Sequence, residues 1–207
     1  MNGSSRKKKT VIGLTGGVGA GKSTVTGLLK KEYGALILEA DAICKKLMEP
    51  GGPAYGEIIR LLGQEVLLPS GEIDKKRMAQ MIFEDPAKRA AVNRILHPAT
   101  FEAAAKRIRN TRKKLIVYES ALPYEARFSE LCDKVLYVHA SPAVRRERLK
   151  ASRGYSDEKV SAIMRTQLSE EDFYRMADGT VSNDGGREAC RASLRDLMTA
   201  WGWEAKA

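Results

Sequence analysis

Cysteines, aromatic residues and long apolar runs are all scarce in this sequence of 207 residues. No stretch approaches the roughly 20 consecutive apolar residues of a membrane helix, so we expect no membrane association. Cys44, Cys132 and Cys190 lie far apart and form no C-x-x-C pair, which argues against a disulfide framework and a zinc site. The basic start is not followed by the apolar segment of a secretory signal, so we expect a cytoplasmic protein.

The balance of charge indicates an anionic partner, because the net charge is +10 and the pI is near 9.6. Aromatic residues make up only 6% of the chain and are not interleaved with the basic clusters. Proteins that bind single-stranded nucleic acid stack bases on such side chains. We therefore expect small phosphorylated molecules as partners rather than nucleic acid, bound by a monomer or a weak homo-oligomer.

Five short apolar runs rich in β-branched residues alternate with helical patterns, which is typical of a parallel sheet covered by helices on both faces. The predicted strands are residues 11–15, 35–39, 115–119, 134–139 and 180–182. The sequence thus predicts an α/β fold of three layers around a five-stranded parallel sheet. Ligands of such sheets bind beyond the carboxyl ends of the strands.

Two segments are longer than the connections of such a sheet require. The first, between the second and third predicted strands, contains several helical patterns, and we interpret it as an insertion that binds a substrate. The second starts at Ser141 and Pro142 and carries many basic residues, as expected of a lid that closes over phosphates. The predicted parts are a basic tail (1–9) and one domain (10–207) made of a nucleotide core (10–45, 113–144 and 176–207), a helical insertion (46–112) and a lid (145–175).

Residues 16–23 read G-G-V-G-A-G-K-S and fit the phosphate-binding pattern G-x-x-x-x-G-K-[ST], between a predicted strand and a helix predicted over 22–32. The four glycines are expected to allow positive φ, so that backbone N–H groups point at phosphate oxygens. Lys22 is expected across the β- and γ-phosphates, and the Ser23 hydroxyl on Mg²⁺. The predicted ATP-binding residues here are Gly17, Val18, Gly19, Ala20, Gly21, Lys22, Ser23 and Thr24.

Two carboxylates follow predicted strands and are candidates for the chemistry. Asp41 comes after the second strand and is our candidate base; the alternative is a helix cap with an ion pair to Lys45. Glu119 ends the third strand and could hold Mg²⁺ through water or orient Lys22; the alternative is again a cap.

Three basic residues complete the candidates. Arg148 and Arg153 could grip phosphate oxygens with their guanidinium groups, although basic helix faces are more often only solvated. His97 precedes Pro98 at a predicted helix break, where a histidine more often makes a structural hydrogen bond.

Taken together, these stretches resemble the dephospho-CoA kinase family over residues 10–186. The phosphate loop is similar to that family's G-L-T-G-G-I-G-S-G-K-S, and Glu39-Ala40-Asp41 is similar to its D-A-D. Further similar stretches are Glu49-Pro50-Gly51, Ile73 to Phe83, Leu96-His97-Pro98, Ser141-Pro142, Arg148 with Arg153, Gln167, Ala177-Asp178 and Asn183-Asp184-Gly185.

The resemblance implies a kinase that uses ATP and Mg²⁺ to phosphorylate the 3′-hydroxyl of the dephospho-CoA ribose. It implies Asp41 as the base on that hydroxyl and Lys22, Asp41 and Arg148 as the catalytic residues. It also implies ATP contacts by Arg148, Arg153 and Asn183, the last near the adenine. The predicted substrate-binding residues are Asp41, Lys45, His97, Glu119 and Leu122.

The sequence also departs from the family's pattern. Glu39 replaces the first aspartate of D-A-D, residues 119–125 differ from the family's D-I-P-L-L-F-E, and Asp172 and Phe173 stand near the place of its lysine after Gln167.

Other functions of the loop stay open at this point. The runner-up is another small nucleoside or nucleotide kinase of this fold. A nucleotide-dependent switch is less favoured, because none of the nine aspartates begins D-x-x-G and no N-K-x-D occurs. A nucleic-acid-dependent ATPase is the third alternative.

Overall fold

The computed structural model describes residues 9–206, so the predicted basic tail lies outside the described residues except for Lys9. Five strands form one sheet in the order β2-β3-β1-β4-β5, with β1 parallel to β3 and β4, and β4 parallel to β5. The strands are β1 (Thr10–Thr15), β2 (Leu36–Glu39), β3 (Leu115–Glu119), β4 (Lys134–His139) and β5 (Gly179–Ser182). The predicted α/β fold with a five-stranded parallel sheet is confirmed.

Ten α-helices and one short 3-10 helix follow or separate these strands along the described residues. The helices are α1 (Lys22–Tyr33), α2 (Ala40–Leu47), α3 (Tyr55–Leu62), the 3-10 helix Gln64–Val66, α4 (Lys75–Glu84), α5 (Pro86–Asn110), α6 (Phe128–Leu131), α7 (Pro142–Arg153), α8 (Asp157–Arg165), α9 (Glu170–Met176) and α10 (Gly186–Ala200). Over residues 9–206, no helix combines the length and the apolar character needed to span a bilayer.

The chain divides into two compact units, one of residues up to 37 together with 112 onward, and one of residues 38–111. The predicted division into core, insertion and lid stays a prediction. In the first unit, the central strands are buried on both faces, which explains their nearly continuous apolar sequence. Its core consists mainly of Ile12, Leu14, Val25, Leu29, Val117, Leu136, Val138, Leu194 and Met198.

The second unit is helical and is organised around α5, which contacts α2, α3 and α4. The side chains of Asp74 and Asp85 accept hydrogen bonds from the first backbone N–H groups of α4 and α5, so both helices begin at an aspartate cap.

The predicted helix break at Pro98 is wrong, because this proline lies inside α5, a continuous helix of 25 residues. A proline inside a helix lacks the N–H that would bond to the carbonyl four residues earlier, here that of Arg94. Leu96 and Thr100 are buried on either side of the proline. Packing of α5 against α2, α3 and α4 favours a continuous helix in spite of the missing bond.

The segment predicted as a lid contains α7, α8 and α9. Helix α7 ends at Gly154, whose left-handed conformation closes the helix. Arg146 Nη1 donates to Ser161 Oγ at 2.8 Å and thereby joins α7 to α8. Phe173 of α9 is buried and stacks on Tyr137 of β4, with ring centroids 4.9 Å apart. The segment is therefore anchored to the sheet through α9.

Candidate active site

The phosphate loop connects β1 to α1 and turns through glycines. Gly16, Gly19 and Gly21 have φ of 154°, 79° and 88°, in the region that favours glycine. Gly21 precedes α1, whose first turn contains no acidic residue. The positive end of α1 is thus directed into the loop without a carboxylate to neutralise it, as an anion site requires.

Gly17 serves a different purpose from the one predicted, since it is not among the residues with positive φ. A Cβ atom at this position would collide with the guanidinium group of Arg145. The glycine leaves room here for the close approach of another side chain.

Lys22 crosses the loop and lies beside a carboxylate. Its Nζ donates to the carbonyl of Gly16 at 3.0 Å and is 3.8 Å from Glu119 Oε1. The two side chains are only 17% and 15% exposed, which strengthens the attraction between their charges. The structure thus brings Lys22 and Glu119 together, as expected if Glu119 orients the lysine. A contact of Glu119 with the acceptor stays a prediction.

A cavity of about 500 Å³ opens beside the loop. Five predicted ATP-binding residues line it, namely Gly21, Ser23, Thr24, Arg148 and Asn183. The other lining residues are Gly27, Gly186 and Arg187, which the sequence analysis missed. Gly27 could have been found from the sequence, because it lies one helical turn after Ser23 on the same face of α1.

Arg148 and Asn183 join the cavity wall to the loop. Asn183 is 4% exposed, and its Nδ2 donates to the carbonyl of Ala20 at 2.8 Å. Arg148 Nη2 donates to the carbonyl of Asn183 at 2.7 Å. Arg148 Nη1 is buried and has no partner among residues 9–206. Buried donors are nearly always satisfied, so an unpaired guanidinium nitrogen at a cavity wall indicates a ligand with acceptor atoms.

Arg145 and Gln167 also contact the loop, and the sequence analysis did not include them in the site. Arg145 Nε donates to the carbonyl of Val18 at 2.9 Å, and Arg145 Nη2 donates to Gln167 Oε1 at 2.7 Å. The same Gln167 oxygen accepts the N–H of Val18 at 3.1 Å. Burial lowers the pKa of Arg145 below its ordinary value. Because the Val18 amide is engaged, its contact with ATP stays a prediction.

Two predicted residues of the first unit lie on its surface. Arg153 is the exposed last residue of α7, with its guanidinium carbon 5.9 Å from the centre of the Tyr155 ring. Leu122 is 53% exposed in the loop after β3, where its N–H donates to Ser120 Oγ at 3.0 Å. Their contacts with ATP and with the acceptor stay predictions.

The remaining predicted residues belong to the second unit. Asp41 and Lys45 are exposed on α2, and His97 is half-buried on α5. The residue that caps α2 is Glu39 rather than Asp41. In the described part of the chain, the Asp41 carboxylate makes no ion pair with Lys45 and accepts no hydrogen bond. The alternative of a structural cap with an ion pair therefore does not describe Asp41.

The loop, the helix behind it and the cavity at its side define the P-loop class of nucleotide-binding proteins. Within this class, the sequence model described as Dephospho-CoA kinase matches residues 10–189, and the chain belongs to the dephospho-CoA kinase family.

Relatives of known name agree over nearly the whole chain. A dephospho-CoA kinase of Moorella thermoacetica is 37% identical over 195 residues, which are 92% of this chain and 90% of that protein. A dephospho-CoA kinase of Thermobifida fusca is 35% identical over 187 residues, which are 90% and 93% of the two chains.

Solved structures show the same architecture. The crystal structure of a Thermus thermophilus protein has a TM-score of 0.80 and 28% identity, covering 94% of this chain and 98% of that one. The dephospho-CoA kinase of Campylobacter jejuni has a TM-score of 0.70 at 17% identity, covering 93% and 97%, and shares the fold.

We expect Arg148→Met to weaken ATP binding about tenfold while the melting temperature stays near that of the unchanged protein. The substitution removes the ATP contact predicted for Arg148, but it also removes a buried donor without a partner among residues 9–206, and this relief offsets the lost bond to Asn183. Calorimetry measures both quantities, with Arg165→Met, exposed at the end of α8, as the control. A fall in stability with unchanged ATP affinity would assign Arg148 a structural role.

Proposed function

We propose that the protein transfers the γ-phosphoryl group of ATP to the 3′-hydroxyl of dephospho-CoA, giving coenzyme A and ADP. The part of this proposal that concerns ATP as phosphoryl donor rests on one observation. Arg148 Nη1 is buried and has no partner among residues 9–206, at the wall of the cavity beside the phosphate loop. Membership of the dephospho-CoA kinase family supports the acceptor. No observation favours a different nucleoside kinase, a nucleotide switch or a nucleic-acid-dependent ATPase.

On the donor side, phosphoryl transfer depends mainly on positioning and on neutralising charge. Lys22 Nζ would exchange the Gly16 carbonyl for phosphate oxygens, while Glu119 keeps the ammonium group close to the loop. Arg148 would direct its second guanidinium nitrogen at the nucleotide without losing its bond to Asn183. In this proposal the chain supplies two cations, Lys22 and Arg148, to a polyphosphate bound at the loop.

Mg²⁺ is the cofactor that we propose, with the Ser23 hydroxyl as its protein ligand. Ser23 is exposed to the cavity, and Mg²⁺ in kinases keeps several waters and takes its other ligands from phosphates. Residues 9–206 contain no cluster of three His, Cys, Asp or Glu side chains that could hold a metal by themselves. This donor set fits an ion that arrives with the nucleotide and neutralises phosphate charge.

On the acceptor side, we propose Asp41 as the base that takes the proton of the ribose 3′-hydroxyl. Its carboxylate is exposed and unengaged, and it follows β2 directly, where ligands of parallel sheets bind. Lys45, His97, Glu119 and Leu122 complete the proposed acceptor contacts. We further propose that a monomer or a weak homo-oligomer carries out this reaction in the cytoplasm.

A coupled assay of ADP release tests the acceptor. With Mg²⁺ and ATP, we expect dephospho-CoA to support turnover, whereas uridine, cytidine, AMP and shikimate should give only the background rate. Chromatography should then show coenzyme A formed in equal amount to ADP. Turnover with one of the other acceptors, and not with dephospho-CoA, would refute the proposal.

Lys22→Ala should lower turnover by about 10²- to 10⁴-fold, the range found when one preorganised electrostatic donor is lost. The measurement is the steady-state rate at saturating substrates. Lys30→Ala, exposed near the end of the same helix, is the matched control and should keep full activity. Unchanged turnover of Lys22→Ala would exclude the role given to this lysine.

Asp41→Asn should lower turnover by at least about a hundredfold, because the amide keeps the shape of the side chain but cannot accept the proton. The Kd for ATP, measured by calorimetry, should stay near normal. A parallel loss of ATP binding would contradict the assignment, and so would a larger loss of turnover in Glu39→Gln, which changes the neighbouring carboxylate.

A further inference from the structure

We propose that Arg145 and Gln167 are positioning residues that clamp Val18 and hold the phosphate loop in the conformation that binds nucleotide. This inference rests on the proposed function only in taking ATP as the nucleotide. Both residues belong to the segment predicted as the lid, and neither motif nor resemblance gave either of them a role.

The clamp uses both backbone groups of one loop residue. The N–H of Val18 donates to Gln167 Oε1 at 3.1 Å, and the carbonyl of Val18 accepts from Arg145 Nε at 2.9 Å. Arg145 Nη2 closes the ring by donating to the same Gln167 oxygen at 2.7 Å. Three hydrogen bonds therefore connect two side chains and the backbone of one residue, and removing either side chain breaks two of them.

The loop is shaped to receive this arginine. Gly17 lies against the guanidinium group, and a methyl group in its place would collide with it. Among residues 9–206, the guanidinium donates to a carbonyl and an amide oxygen and to no carboxylate, although the charge of Glu170 also acts on it. A cation held in this way adds to the positive potential of the loop as well as fixing its shape.

Ala20 is held by bonds outside the clamp, whereas both backbone groups of Val18 bond to side chains of the segment predicted as the lid. The N–H of Ala20 donates to the carbonyl of Gly17 at 3.1 Å, and the Ala20 carbonyl accepts from Asn183. A ligand binds more tightly to a loop that is already ordered, because less conformational freedom is lost on binding. Loss of the clamp should therefore weaken the binding of ATP.

A double-mutant cycle tests the clamp through the Kd of ATP, measured by calorimetry with Mg²⁺ and without acceptor. We expect Arg145→Met and Gln167→Met each to raise this Kd about tenfold, as for the loss of buried or charge-assisted hydrogen bonds. The double variant should also show about a tenfold increase rather than about a hundredfold, because both changes break one network. The KM for ATP should rise while the KM for dephospho-CoA stays unchanged.

Arg146→Met is the matched control, because Arg146 is the next residue of α7 and bonds to Ser161 of α8 rather than to the loop. Its ATP affinity should stay within about twofold of the unchanged protein. Either single variant with unchanged affinity would overturn the proposal, as would additive losses in the double variant. Tighter ATP binding would also overturn it, since the clamp would then compete with phosphate for the Val18 amide. If the unchanged protein binds ATP but phosphorylates no dephospho-CoA, the proposed function fails while the clamp still stands.

Discussion

The structure depends on one constraint, the sharp reversal of the backbone between β1 and α1. Positive φ at Gly19 and Gly21 turns the chain so that α1 begins with its positive end facing the loop. Such a turn has little stability of its own, because it contains few contacts and glycine loses much freedom on ordering. The surrounding elements must therefore hold it, and this need explains why distant side chains converge on so short a segment.

The side chains that hold the phosphate loop in place also determine the charge around it. Lys22 is balanced by Glu119, whereas Arg145 and Arg148 bond to neutral oxygens of the loop and its neighbour Asn183. The same guanidinium groups that fix the backbone thus leave an excess of positive charge beside it. Rigidity and attraction for a polyphosphate arise from one set of contacts, so a substitution there is expected to change both together.

Much of the fold could be predicted, because buried parallel strands have nearly continuous apolar sequences and each predicted strand agrees with the structure within one residue. The phosphate loop could also be predicted, because its residues lie next to one another in the sequence with a fixed spacing. The clamp could not, since 127 and 149 residues separate Val18 from Arg145 and Gln167. The course of α5 through Pro98 was missed for a related reason, because the packing that sustains this helix is tertiary.

The departure from the family's sequence pattern near residue 173 has a structural explanation. Near the place of the lysine in the resembling family, this chain has Asp172 and Phe173, and Phe173 is 2% exposed and stacked on Tyr137. The neighbouring Glu170 lies 2.8 Å from His139 Nε2, at the end of the same strand. Helix α9 is thus held by aromatic packing and by the pair of Glu170 with His139, and its one cation, Arg175, bonds to Glu171 and Asp172 of the same helix. The positive charge beside the loop then comes from Lys22 together with α7, which supplies Arg145 and Arg148 on one face.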